Sequence, residues 1–216
     1  MTEAAHRYRV LLESLDAWST AAHQRHPGVI PCRLGCTACC HGPFDISVAD
    51  ALLLGETIAR LPAELRQAIH VRADAAAALQ RARAPEWEAP YDVRALGEAR
   101  FDAVCDALAA EPCPCLIDGA CAVYEGRPAV CRMMGLGLEA LDDRTLPNAC
   151  PIQGEFPAYA ALPAQPFDLA AFEATEEACL VEAGLVLFGS LDATGYETTI
   201  AMAVSTLQSA SGHAAQ

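Results

Sequence analysis

The sequence predicts a mainly α-helical fold, a helical domain carrying a small β-hairpin and two cysteine-rich loops, and three observations predict it. Hydrophobic residues make up 53% of the 216 residues, Ala and Leu foremost, while aromatics are only 6%. Ala and Leu lead the helix scale, whereas strands draw on β-branched and aromatic residues. Apolar residues also recur at helical spacing over several long stretches punctuated by Pro and Gly. Two irregular segments break that pattern, and both are dense in cysteine.

Residues 3–24 read as an amphipathic helix with Val10, Leu11, Leu15, Trp18 and Ala22 on one side, ended by His26-Pro27-Gly28. A loop over 29–45 carries the stretch PCRLGCTACCHGPF. Ser47 followed by Asp50 has the form of a capping box and opens a helix to about Ile58. Pro62 suits a first helical position, and that helix continues to about Arg83. Residues 84–90, APEWEAP, form a turn-rich connection, and 92–110 a further helix with Phe101, Val104, Cys105 and Leu108 inward. The texture then changes. Asp118-Gly119 is a tight-turn dipeptide, so Cys115–Ile117 and Ala120–Tyr124 are expected to pair as a hairpin. Pro128 opens a short helix carrying Cys131, and a loop with Asn148-Ala149-Cys150-Pro151 follows. A C-terminal helical pair, about 167–187 and 194–209, closes a single domain spanning 1–216, with the cysteine cluster within 32–150.

The formal charge of −14, with no basic run, argues against nucleic acid or an anionic membrane as partner, because phosphate binding needs a clustered positive field. No apolar run reaches the length of a membrane span. The first twenty residues mix both signs of charge and lack the uninterrupted apolar stretch of a secretory signal. A cytoplasmic location is therefore expected. In a reducing compartment clustered cysteines read as metal ligands or redox centres, and the odd count of eleven fits poorly with a paired disulfide framework.

The first cluster is Cys32-x3-Cys36-x2-Cys39-Cys40. Ligands two to four residues apart reach one metal because a tight turn brings their side chains together. Cys39 and Cys40 are awkward partners for one small ion, since neighbouring side chains diverge on a helix and oppose each other on a strand. One of them faces the core, or the two serve two metals, or they span different irons of one cluster. The second cluster is Cys113, Cys115, Cys121, Cys131 and, further on, Cys150. The simplest fold brings both loops to one shared site or two adjacent ones. Cys105 and Cys179 fall on apolar helix faces and are expected to pack as small hydrophobes. His41, beside the paired cysteines, is expected to face solvent or support the site from outside. Arg127 and Arg132 could either donate hydrogen bonds to sulfur, and so bind a cofactor, or pair with nearby carboxylates. Tyr124 is expected to pack under the hairpin, and Gly135–Ala140 to form a small-residue turn.

Together, Cys-x3-Cys-x2-Cys-Cys and the downstream run Cys113-Pro114-Cys115-Leu116, Asp118-Gly119-Ala120-Cys121, Tyr124, Arg127-Pro128 and Cys131-Arg132 resemble the zinc- or iron-chelating cysteine-cluster family, the YkgJ-type proteins. The resemblance covers about residues 32–150. It implies a metal-ligand pool of Cys32, Cys36, Cys39, Cys40, Cys113, Cys121 and Cys131, with Cys150 as an eighth. Cys115 stands where that family usually has an aromatic or aliphatic residue, so no metal role is carried onto it.

These readings imply a metal-binding protein whose favoured cofactor is an iron–sulfur cluster, with an electron-transfer or redox-accessory role and a protein redox partner. A structural zinc site with a binding or regulatory role is the alternative, and soft-metal storage or delivery a third. No Ser/His/Asp grouping stands out to suggest hydrolase chemistry.

Overall fold

A computed structural model of the chain describes residues 1–33 and 35–207. Its first helix, α1 (Glu3–Arg25), is capped by Thr2, whose hydroxyl accepts from the Ala5 N–H. The buried face runs Ala4, Ala5, Tyr8, Leu12, Leu15, Trp18 and Ala22, whereas Val10 is exposed. The buried stripe is thus turned by part of a helical step from the expected one, because Tyr8 and Leu12 supply larger surfaces for the core than Val10.

A short strand, β1 (Asp45–Ser47), leads into α2 (Val48–Ala59). The capping box is present: Ser47 Oγ accepts from the Asp50 N–H, and the Asp50 carboxylate accepts from the Ser47 N–H. Every residue from Val48 to Leu54 is buried, as expected for a helix covered on all sides. Leu52 and Leu53 pack with Tyr8, Leu12 and Phe172, while Leu54 and Ile58 pack with Ile69 and Ile200. Emptying the wholly enclosed Leu53 position to Ala costs about 2–5 kcal/mol.

Helix α3 (Ala63–Arg83) begins one residue later than expected, with Pro62 as its N-cap. The helix expected over 92–110 is instead two, α4 (Val93–Leu96) and α5 (Glu98–Ala107). Gly97, at φ 85°, divides them, because that left-handed backbone cannot continue a right-handed helix. The hairpin forms from β2 (Leu116–Ile117) and β3 (Ala120–Cys121), with Asp118 and Gly119 both at positive φ as its turn requires. It is shorter than expected, since Tyr124–Gly126 coils into a 3-10 turn before α6 (Ala129–Met133).

Three further strands follow, β4 (Leu138–Ala140), β5 (Thr145–Leu146) and β6 (Gln165–Phe167), with the short α7 (Pro157–Ala160) before β6. β4 lies centrally, antiparallel to β5 and parallel to β6. Leu138–Ala140 is therefore strand, not the expected turn; Leu138 and Ala140 point into the core while Glu139 points out. Helix α8 (Leu169–Phe188) agrees with expectation and ends at Gly189 in the left-handed conformation. The last expected helix is corrected. Its first part is β7 (Glu197–Thr199), antiparallel to β1 with Ile46 opposite Thr198, and only then come α9 (Ile200–Met202) and a π-helical turn over Ala203–Leu207. Thr198 and Thr199 are β-branched and fully buried, which favours a strand there. Residues 208 and 209 of that expectation lie outside the described residues. Among the described residues no helix is long and apolar enough to cross a membrane.

Candidate metal centre

The first cysteine loop folds as consecutive tight turns. The Cys36 N–H donates to the Arg33 carbonyl and the Cys40 N–H to the Thr37 carbonyl, each at 2.9 Å. His23 of α1 holds the loop from below, its ring nitrogens 2.9 Å from the carbonyls of Ser19 and Cys32. The second loop runs alongside. The Cys113 N–H donates to the Cys40 carbonyl at 2.9 Å, the Gly42 N–H donates to the Glu111 carbonyl at 2.7 Å, and His41 bridges Pro112. Beyond Cys113, the Leu116 N–H returns to the Cys113 carbonyl and the Ala122 N–H to that of Cys115, so the hairpin arms are fastened to the same thiol-bearing segment.

Between the loops lies a cavity of about 630 Å³. Seven of the eight thiols expected as ligands line it: Cys32, Cys36, Cys39, Cys40, Cys113, Cys121 and Cys131. The eighth, Cys150, does not. It is buried behind Cys32 in a cluster with Trp18, Leu138 and Tyr159. Cys115, set aside by the sequence reading, lines the cavity with the others because the two-residue step from Cys113 turns back before β2. All eleven cysteines lie among the described residues and all are free thiols. Cys179 is buried in the core, and Cys105 is half-buried with its thiol 3.8 Å from the Pro43 carbonyl, both away from the cavity. His41 is exposed and does not line it.

Cys39 and Cys40 do not diverge. They sit in a turn rather than a helix or strand, and the Cys39 thiol donates to the Cys40 sulfur. That bond raises the Cys39 pKa, with burial adding to it, and lowers that of Cys40. The same asymmetry recurs in the second loop. The Cys115 thiol donates to Cys113, lifting its own pKa and lowering that of Cys113, which also accepts from the backbone N–H groups of Cys115 and Leu116. Burial pushes Cys121 and Cys131 up, and Cys32 to about 11. Each loop thus pairs one thiol of lowered pKa, Cys40 or Cys113, with a neighbour of raised pKa, Cys39 or Cys115.

Arg127 and Arg132 line the cavity wall, and the hydrogen bonds they make run to oxygen. Arg127 Nη2 lies 2.8 Å from Asp16 of α1, and its guanidinium stacks 4.0 Å from the centre of the Tyr124 ring. Tyr124 is exposed and serves as that platform instead of packing under the hairpin. The buried Arg132 pairs with the same Asp16 and donates to the carbonyls of Arg127 and Glu125. The pair fastens α6 to α1 and sets positive charge beside the thiols.

Sequence reasoning missed Arg72 of α3. Its charge lowers the Cys113 pKa, and its Nε is buried without a hydrogen-bond partner among the described residues. Nothing local distinguishes Arg72 from the other arginines of α3; only the packing of α3 against the second loop singles it out. An orphaned buried donor near a thiol whose pKa is lowered, and a lining that brings eight thiols together, both suit a thiolate-bound metal or cluster. Among the described residues no three His, Cys, Asp or Glu side chains are gathered closely enough to hold one ion, so the sulfurs ring the cavity instead of converging on a point.

No curated protein and no solved structure matches the chain. A protein-family model described as "Putative zinc- or iron-chelating domain", with the signature CxxCxxCC, matches residues 31–151, a span that holds both loops and Cys150. That span is more than half of the chain and coincides with the thiol-lined cavity, and the chain belongs to the CxxCxxCC family of zinc- or iron-chelating domains.

Proposed function

We propose that the chain is one domain that holds an iron–sulfur cluster on the thiols of its two loops and serves in electron transfer or as a redox accessory protein. The observation that carries this reading is the size of the thiol-lined space. A zinc–thiolate bond is about 2.3 Å, so four sulfurs around one ion lie about 4 Å apart. Eight thiols around about 630 Å³ ring a much larger volume. The adjacent Cys39 and Cys40 both face it, as ligands to different irons of one cluster would. A bound cluster supplies one-electron chemistry, with its potential set by hydrogen bonds and charge around the sulfurs. Cys32, Cys36, Cys39, Cys40, Cys113, Cys121 and Cys131 form the ligand pool, joined by Cys115. Arg72, Arg127 and Arg132 offset the thiolate charge. Eleven free thiols suit a reducing compartment, hence the cytoplasm, and the natural partner is a redox protein rather than nucleic acid.

A structural zinc site is the second reading. It is favoured by the number of thiols on the lining together with the hairpin-plus-helix setting of Cys121 and Cys131, since closed zinc sites are built from thiolates. Chain purified without oxygen decides between the two. The iron–sulfur reading expects brown protein with broad visible absorption and acid-labile sulfide close to the iron content. Colourless protein replete with zinc would replace it by the second.

A further inference from the structure

One group of titratable side chains in the core takes no part in the thiol cavity. Tyr8 of α1, Asp50 of α2 and Glu176 of α8 meet where these three helices pack on one another. Tyr8 and Asp50 are buried and Glu176 is partly so. The Tyr8 hydroxyl oxygen lies 3.0 Å from Asp50 Oδ1 and 3.2 Å from Glu176 Oε1. A phenol has one hydrogen to donate, and an ionised carboxylate has none. Tyr8 therefore satisfies one carboxylate only, and its second contact is a hydrogen bond only if that carboxyl carries a proton of its own. Asp50 is the ionised member. Besides Tyr8 it accepts from the Ser47 N–H and hydroxyl and from the Ala129 N–H, donors that suit an anion. The extra proton then belongs to Glu176, which donates to the Tyr8 oxygen. The surroundings agree with that count. The charged groups nearest Glu176 are anions, Asp50 across the interface and Glu173 one turn back on α8. Glu173 is paired with Arg144 of the β4–β5 turn, and Arg7 of α1 with Glu182 further along α8. Among the described residues no cation pairs with Glu176.

We propose that this trio is a proton-operated latch, in which one shared proton fastens α8 to α1 and α2 and its loss lets α8 open from them. The latch is separate from metal binding, and neither depends on the other. Once the proton leaves, two carboxylates face each other across Tyr8 with no cation between them, and their repulsion is strong where water is excluded. Burial and the Asp50 charge raise the Glu176 carboxyl from 4.5 to about 7, so the latch is shut in mild acid and loosens as pH rises through neutrality. What it opens is an apolar seam, with Leu12 and Leu15 of α1, Leu53 of α2, and Phe172 and Cys179 of α8 packed together.

Cys179 reports on the seam, since it is buried there one turn from Glu176. The full chain, purified without oxygen and used as it stands, is treated with a small alkylating agent at about pH 5 and about pH 8.5. Mass spectrometry follows Cys179 in wild type and in Glu176→Gln, whose amide donates to Tyr8 at every pH. At the lower pH the two proteins are expected to label alike. At the higher pH wild type is expected to label about fivefold faster, through local opening of α8. A charge on Glu176 raises the Cys179 pKa and so slows labelling, which means that a faster rate measures exposure and not acidity. The rate is expected to stay constant in low, non-denaturing urea, whereas global unfolding accelerates with urea. Carbon NMR of the Glu176 side chain is expected to show a neutral carboxyl at about pH 5. Equal labelling of the two proteins at the higher pH would overturn the latch. So would a wild-type rate that climbs with urea, or a Glu176 carboxylate already ionised at the lower pH. Each of these results leaves the chelating reading standing.

Discussion

The backbone N–H of Cys113 donates to the carbonyl of Cys40 at 2.9 Å, and this one bond registers the two cysteine loops against each other. It joins the two thiols that their neighbours have made most acidic, Cys40 through Cys39 and Cys113 through Cys115. The half-buried Cys40 should therefore react first when metal-free protein is treated with a small alkylating agent near neutral pH. Peptide mapping by mass spectrometry checks the order. Labelling of Cys39 or Cys131 ahead of Cys40 would mean that the Cys39 thiol does not donate to the Cys40 sulfur.

Asp16 is the shared anion for two arginines, one of them buried. Asp16→Ala leaves Arg132 without its counter-charge. Asp16 is itself partly exposed, so the cost is discounted to about 2 kcal/mol. That corresponds to a loss of about 4–8 °C in Tm for a chain of this size. An unchanged melting temperature would mean that the ion pairs do not hold α6 to α1.

Arg72 offers an unpartnered buried donor near Cys113. Arg72→Met keeps the packing length and removes the charge. Metal affinity, measured by competition with a chelator of known strength, should fall about 10–100-fold, the usual effect of losing a group that supports a ligand. Helicity should stay at the wild-type level.

Glu176 of α8 faces Tyr8 of α1 and Asp50 of α2, with Glu173 on its own helix, and Tyr8 OH lies 3.2 Å from its Oε1. Burial, then the Asp50 charge, raises its pKa from 4.5 to about 7. The folded chain thus holds this proton more tightly than the unfolded chain does. The stability it contributes is complete below about pH 4 and is lost as pH rises through 7. Glu176→Gln should match wild type at pH 4 and exceed it at pH 8.5 by about 1 kcal/mol, the shift being discounted for partial exposure. Thermal melts of both proteins across that range check the sign.

Gly135→Ala places a methyl group on Cys32 Sγ from a backbone at φ 94°. The expected cost is about 1–3 kcal/mol from the backbone alone. A denaturant midpoint equal to wild type would show that Cys32 is free to move aside.

Local chemistry was legible along the chain. The capping box of Ser47 and Asp50, the Asp118-Gly119 turn, the Pro128 helix start and the thiol spacing each act over a few residues, and the structure contains all of them. Less legible were choices that depend on a partner far away in the chain. Nothing near Thr198 announces that Ile46 will lie opposite it, and nothing near Val10 says that Tyr8 will win the core. Gly97 could have been read as a break, but one glycine inside an apolar-periodic stretch is often tolerated.

For the site, the sequence by itself determined which thiols were available and that two loops would present them, because ligand spacing is a property of short segments. Only the tertiary structure decided that Cys115 joins the cavity, that Cys150 retreats behind Cys32 onto Tyr159, and that Arg72 is the arginine beside Cys113. Burial and charge at a sulfur are set by whatever packs against it, and the groups that pack against these sulfurs come from helices and strands far apart in the chain.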